Sequence, residues 1–122
     1  MSVPVELPAL RSRIGEYGAV AYVVTVSEQG TAHVVSAEVR VDGERLLVPT
    51  GRTTRRNLEA NASLTLLWPP GPDPAYSMLV DAVVVALSDD PAVAAVEPRS
   101  AVLHRVAAAP GAGPGCVPVA GS

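Results

Sequence analysis

Hydrophobic and polar positions along this chain alternate in short runs, and strand signals outnumber helix signals. Leu7, Leu10 and Ile14 recur at near-helical spacing and predict a short helix over Val5–Glu16, ended by Gly18. Val20–Val26 is apolar at almost every position and reads as a central strand covered on both faces. After the turn Glu28-Gln29-Gly30, the stretch Ala32–Val41 alternates cleanly. His33, Val35, Ala37, Val39 and Val41 share one face, and Ser36, Glu38 and Arg40 share the other, as in a half-buried antiparallel strand. Asp42-Gly43 is a strong hairpin signal, so Arg45–Pro49 returns as the third strand. A short helix after Thr53 or Thr54 ends near Asn61, and Ser63–Trp68 is the fourth strand. Pro69, Pro70, Pro72 and Pro74 then stiffen a loop that can be neither helix nor ladder. Ser77–Leu87 is a fifth strand, and Val93–Val96 and Ser100–Val106 are further candidates separated by Glu97-Pro98-Arg99.

Short strands at turn-punctuated spacing, with two small helices, predict a mainly β antiparallel barrel. Length places residues 1–106 in one domain; residues 107–122 form an Ala/Gly/Pro-rich tail without the side chains for a core of its own. The chain is 48% hydrophobic but has no Phe, so Val, Ala and Leu must fill the interior. A formal net charge of -3 gives no general attraction to nucleic acid or to an anionic membrane. No apolar run approaches the ~20 residues of a membrane-spanning helix, and no signal-peptide pattern opens the chain; a cytoplasmic location is expected. The single cysteine, Cys116, excludes an intrachain disulfide and a cysteine-cluster metal site. His33 and His104 have no carboxylate partners at readable spacing, so no metal site is expected.

Candidate chemistry concentrates in Pro49–Ser63, where a strand gives way to a helix. Three of the nine arginines, Arg52, Arg55 and Arg56, fall within five residues there. A helix N-terminus carries a partial positive charge, so cations at that point are unfavourable unless an anion joins them. Backbone N–H groups, the Thr53 and Thr54 hydroxyls and three guanidiniums on one turn make an anion site, with a phosphate the simplest guest. The alternative is a solvated arginine turn in which Arg55 or Arg56 pairs with Glu59 along the helix. Asp81 interrupts an apolar strand and is expected to be buried and paired, with a turn N–H or Arg105 as partner. Trp68 is expected to plug the barrel or to lie in a dimer contact.

The run from Ala21 to Trp68 resembles the flavin-binding split-barrel proteins of the pyridoxamine 5'-phosphate oxidase superfamily. The resemblance is carried by the order of a strand ending in Ser-Glu-Gln-Gly, His33-Val34-Val35, an Asp-Gly-x-x-Leu hairpin, Thr-Gly-Arg and an Arg-Asn-Leu-x-x-Asn helix. Leu79-Val80-Asp81 and Ala101-Val102-Leu103-His104-Arg105 resemble the late strands of small members, so that the likeness covers about Tyr17 to Val106. It implies a six-stranded split barrel that forms a homodimer, with FMN or a deazaflavin bound at the subunit interface. The cofactor phosphate would then be held by Arg52, Thr53, Thr54, Arg55 and Arg56, with Ser36 and Glu38 bordering the ring or side chain. The chain departs from the pattern in having Thr-Arg-Arg at the phosphate turn, no aromatic residue over Ser36–Val39, and Ala82 where glycine is frequent. The oxidase's own substrate residues are not found, which leaves a flavin-dependent oxidoreductase of another substrate as the leading expectation. The alternatives are a non-catalytic flavin- or haem-binding protein, and a barrel that has lost its cofactor and serves as an interaction module.

Overall fold

The computed structural model describes residues 2–109. Strand β1 (Ser2–Pro4) leads through a 3-10 turn at Leu7–Ala9 into helix α1 (Leu10–Tyr17). Pro4 and Pro8 explain why the predicted N-terminal helix begins late: proline lacks the N–H that a helix interior needs. Gly18 closes α1 with a φ of 100°, a conformation that side chains with a Cβ rarely adopt. There follow β2 (Val20–Val26), β3 (Ala32–Glu38), β4 (Arg40–Asp42) and β5 (Arg45–Pro49). Helix α2 (Arg52–Ala60), β6 (Ser63–Trp68), β7 (Tyr76–Asp89) and β8 (Ala92–Arg105) complete the described chain.

All pairings are antiparallel, and the sheet runs β3-β2-β6-β7-β8-β5-β4, with β1 added to β8. Its two ends, β3 and β4, are consecutive pieces of one stretch of chain separated only by Val39. That stretch pairs with β2 through its first half and with β5 through its second, which curls the sheet back on itself. Val39 is 3% exposed, and its N–H donates to the Ala19 carbonyl at 2.8 Å, so the break in the ladder carries its own hydrogen bond.

The strand count differs from the expected six. The strand predicted over Ala32–Val41 divides at Val39, β1 adds a short segment, and the two candidates after Asp90 merge into the 14-residue β8. Glu97-Pro98-Arg99 does not separate two strands: Asp81 pairs with Ser100 and Ala82 with Pro98, leaving Arg99 as the extra residue of a bulge. Pro98 falls at this irregularity, between the stretches of β8 that pair with β5 and with β1, where a strand tolerates proline.

Val20–Val26 was expected to be covered on both faces. It is hydrogen-bonded on both sides, by β3 and β6, yet only one face is buried. Ala21, Val23 and Thr25 point inward; Val20 and Tyr22 are 60% and 43% exposed. Hydrogen-bond centrality and facial burial are separate properties, and a run of valines reports only the first. The interior is filled from all sides by Val23, Leu46, Val48, Leu64, Leu66, Met78, Val80 and Val96, with Leu10 and Ile14 of α1 and Leu58 of α2. Trp68 is 1% exposed and its indole N–H donates to the Gly18 carbonyl at 2.8 Å, which makes it an internal plug. Asp81 is exposed rather than buried, because its position on β7 faces outward; its partners are Thr65 and Ser100, not Arg105.

The segment 107–109 has no regular structure, and the remainder of the predicted tail, Cys116 included, lies outside the described residues. No helix among the described residues is long and apolar enough to cross a membrane.

Leu66 is fully buried at the centre of the interior. Leu66→Ala is expected to lower unfolding free energy by about 2–5 kcal/mol, read from urea denaturation. Tyr17 gives a pH-dependent term. Burial raises its phenol above the ordinary tyrosine value, Asp73 and Glu16 add to the rise, and Arg13 opposes it. The folded chain therefore keeps this proton longer than the unfolded chain does. The contribution is whole below the ordinary tyrosine value and is lost as pH rises through the raised one. Tyr17→Phe should flatten the alkaline fall in Tm.

Candidate functional site

The β5–α2 junction is built from three local choices. Pro49 ends the strand, Gly51 occupies the N-cap position of α2 in an extended conformation, and the helix starts at Arg52. Glycine has no side chain to accept from the first-turn N–H groups, and no acidic residue lies in that turn. The amides that a Ser, Thr, Asp or Asn cap would satisfy are left to another acceptor. Beside them sits Thr50, whose hydroxyl oxygen is buried without a hydrogen-bond partner. Among the described residues nothing completes it, and a buried hydroxyl in that condition costs about 1–3 kcal/mol. Thr50, Gly51, Arg52, Arg55, Arg56, Glu59, Asp89 and Ala92 line one cavity of about 360 Å³.

The three arginines are not equivalent. Arg55 donates to the Ser88 carbonyl at 2.6 Å and pairs with Asp89 at 2.8 Å, tying α2 to the β7–β8 hairpin. Its contact with Glu59, anticipated along the helix face, is longer at 3.8 Å. Arg52 and Arg56 are exposed and make no side-chain hydrogen bond or ion pair with the described residues. Thr53 is half-buried, whereas Thr54 is 2% exposed and packs beneath the helix with Asn57 and Leu58. Asn57 anchors that underside: its amide Nδ2 donates to Thr25 Oγ1 at 3.0 Å, a buried pair joining α2 to β2.

Ser36 and Glu38 are elsewhere. Both are exposed on the outer face of β3, opposite Tyr22 and Val20. Thr25, the β2 residue that touches α2, is paired with His33, so Glu38 lies five positions further along the strand. That is roughly 17 Å at an antiparallel rise, and within one chain the two sets are not brought together. Thr50 and Asp89 are the participants that sequence reasoning missed. Thr50 was legible as the hydroxyl directly before Gly-Arg; Asp89, 34 positions from Arg55, was not. Among the described residues no group of three or more His, Cys, Asp or Glu side chains could hold a metal ion.

Two mycobacterial proteins, Mb0449c of Mycobacterium bovis and MT0457 of Mycobacterium tuberculosis, both described as uncharacterized, are each 36% identical to this chain over 129 aligned positions. Each alignment covers 93% of this chain and 90% of the relative. Among solved structures, an F420 reductase superposes with a TM-score of 0.64 at 19% identity, covering 74% of this chain and 94% of its own. HutZ, a haem storage protein from Vibrio cholerae, superposes with a TM-score of 0.56 at 15% identity, covering 76% and 88%. The chain belongs to the family of these mycobacterial proteins, and its fold is the pyridoxamine 5'-phosphate oxidase-like split barrel. No protein-family model matches it.

As a split barrel, the chain presents α2 at the end of β2 and β5, where the helix N-terminus opens to solvent. The outer face of its β2–β3 hairpin exposes Val20, Tyr22, Val26 and Val34, an apolar surface that also carries Ser36 and Glu38.

Two outcomes follow from the junction. Thr50→Val removes an unpartnered hydroxyl without changing shape and should raise the stability of the ligand-free protein by about 1 kcal/mol, read as a higher Tm. Arg55→Ala and Asp89→Ala should couple in a double-mutant cycle by no more than about 1 kcal/mol, because Asp89 is largely solvated, and the coupling should shrink at high salt.

Proposed function

We propose that this protein binds a phosphate-bearing flavin-type cofactor, FMN or a deazaflavin, with the phosphate at the N-terminus of α2. The observation that carries the reading is the buried, unpartnered Thr50 hydroxyl beside an uncapped helix start. The residues present fit a phosphate. First-turn amides and the Thr50 and Thr53 hydroxyls donate to its oxygens, and the unpaired guanidiniums of Arg52 and Arg56 neutralise it. Arg55 acts one step back, holding the helix against the β7–β8 hairpin while its positive charge contributes to the field. Thr54 supports the helix from below.

A flavin or deazaflavin ring, when bound, supplies hydride chemistry, so the chain needs no nucleophile or catalytic triad of its own. Its contribution is to fix the phosphate end and thereby orient the ring across the barrel surface. The cavity at α2 is small, so the ring must extend beyond it. The apolar β2–β3 face supports a homodimer in which a second copy covers Val20, Tyr22, Val26 and Val34. Ser36 and Glu38 then lie at the subunit boundary, where their polar groups border the ring or side chain. A flavin-dependent oxidoreductase acting on a small organic substrate is the activity this arrangement serves. The likeness to an F420 reductase supports the deazaflavin form of the reading.

The test is the visible spectrum of purified protein with FMN and then with F420, followed by gel filtration. The expected result is a perturbed spectrum that travels with a species of twice the chain's mass. Arg52→Ala with Arg56→Ala should abolish retention while leaving Tm unchanged. A colourless protein that ignores both compounds refutes the reading. A Soret band after adding haem would instead put this barrel with the haem storage protein in function as well as in fold.

A further inference from the structure

A cavity of about 600 Å³, larger than the one at α2, lies at the opposite end of β5 and shares no residue with it. Arg45 at its edge is separated from Thr50 by the length of β5, roughly 17 Å at an antiparallel rise. The register of the sheet explains why a cavity forms there. β7 covers one side of β8 from Ala92 to Arg105. The other side is taken by β5 only as far as Val96, and by β1 only from Val102. The Val5 N–H reaches the Ala101 carbonyl at 2.8 Å, and residues 97–100 are left without a neighbouring strand on that side among the described residues. Pro98 falls in this slot, where a residue without an N–H leaves no donor unpaired. The 3-10 turn and the first turn of α1 form one wall of the slot, and the β4–β5 hairpin forms the other.

The lining has two parts. Leu10, Leu46 and Pro98 are buried and make an apolar floor, and Leu7 stands exposed on the wall. Around them are two cations, Arg11 and Arg45, and two carboxylates, Glu44 and Glu97. Arg11, Arg45 and Glu44 make no side-chain hydrogen bond or ion pair with the described residues. Glu97 has a contact of 3.7 Å with Arg99, between side chains that are half solvated, so it holds that carboxylate weakly.

This division of charge restricts the guest. A simple carboxylic acid would meet the arginines but bring a like charge to the two glutamates, and an amine would do the reverse. A molecule that carries one charge of each sign beside an apolar body satisfies both pairs with charge-assisted hydrogen bonds. We infer that the slot between β5 and β1 binds a small apolar zwitterion, a free α-amino acid with an apolar side chain. The side chain lies on Leu7, Leu10, Leu46 and Pro98, the carboxylate meets Arg11 and Arg45, and the ammonium meets Glu44 and Glu97. No residue of the slot belongs to the α2 cavity, so the two sites stand or fall separately.

The experiment is isothermal titration of the full chain with probes that share a phenylalkyl body. They are L-phenylalanine, 3-phenylpropionate, which lacks the ammonium, and 2-phenylethylamine, which lacks the carboxylate. L-phenylalanine is expected to bind at least about tenfold more tightly than either of the others. Arg45→Ala should weaken L-phenylalanine and 3-phenylpropionate about fivefold and leave the amine unmoved. Glu44→Ala should weaken L-phenylalanine and the amine, and spare the acid. Both positions are exposed, so Tm should not change. Leu7→Asp, also at an exposed position, should remove binding of all the probes. Arg52→Ala with Arg56→Ala should leave every affinity as it was. An L-phenylalanine that does not bind, an acid or amine that binds as tightly, or binding that survives Leu7→Asp overturns the inference. Loss of L-phenylalanine binding in the Arg52→Ala, Arg56→Ala protein would place the amino acid at α2 and overturns it equally.

Discussion

One stretch of chain, Ala32–Asp42, serves as both edges of the sheet, and the rest of the structure depends on that. An open sheet of this composition would leave two rows of unpaired backbone groups and two apolar faces. By bending at Val39, the strand pairs with β2 on one side and β5 on the other. The bend brings the inner faces of all the long strands around one interior filled by medium-sized side chains. Without Phe and with one Trp, such an interior needs closure to reach native packing density, since Val and Ala cannot span a wide gap. Trp68 fills the position where the α1–β2 junction meets the barrel end.

Closure also fixes where chemistry can occur. The β5–α2 junction is held from below by the buried Asn57–Thr25 pair and from the side by Arg55 on Ser88 and Asp89. Among the described residues its upper side has no comparable partner. A helix start without a cap, beside a hydroxyl without an acceptor or donor, is a local departure from the rule that buried polar groups are satisfied. The surrounding barrel tolerates it because the helix is fastened elsewhere. In this fold the attachments that hold the nine-residue helix and the ligand site proposed for it lie on different faces.

Much of the barrel was legible in the chain, and the parts that were not share a cause. Alternation at His33–Val41 and the Asp42-Gly43 turn are local signals, and the structure follows them. Local signals do not show that Val39 interrupts a ladder, that Pro98 sits at a bulge, or that one face of β2 is left largely exposed among the described residues. Those facts depend on register across strands distant in sequence. Asp81 shows the same limit: a carboxylate inside an apolar run looks buried, but period two on a bulged strand turns it outward onto Thr65 and Ser100. At the site, the arginine turn could be read from its density of cations. The division of labour among those cations could not, because Asp89 approaches from another hairpin.

That division bears on what the proposed site would recognise. Three arginines face two carboxylates, Glu59 and Asp89, around the α2 cavity, so its net charge is modest. Arg55 spends its hydrogen bonds on the protein, and bulk attraction to anions rests on the solvated Arg52 and Arg56, where screening is strong. Selectivity must therefore come from the short-range set: first-turn amides with fixed directions and a hydroxyl already desolvated. Such a set favours a compact tetrahedral anion with several oxygens over a dispersed or planar one, because only the former reaches the amides and the hydroxyl together. In the proposed function, the arginines help bring an anion to the junction, and the backbone decides which anion stays.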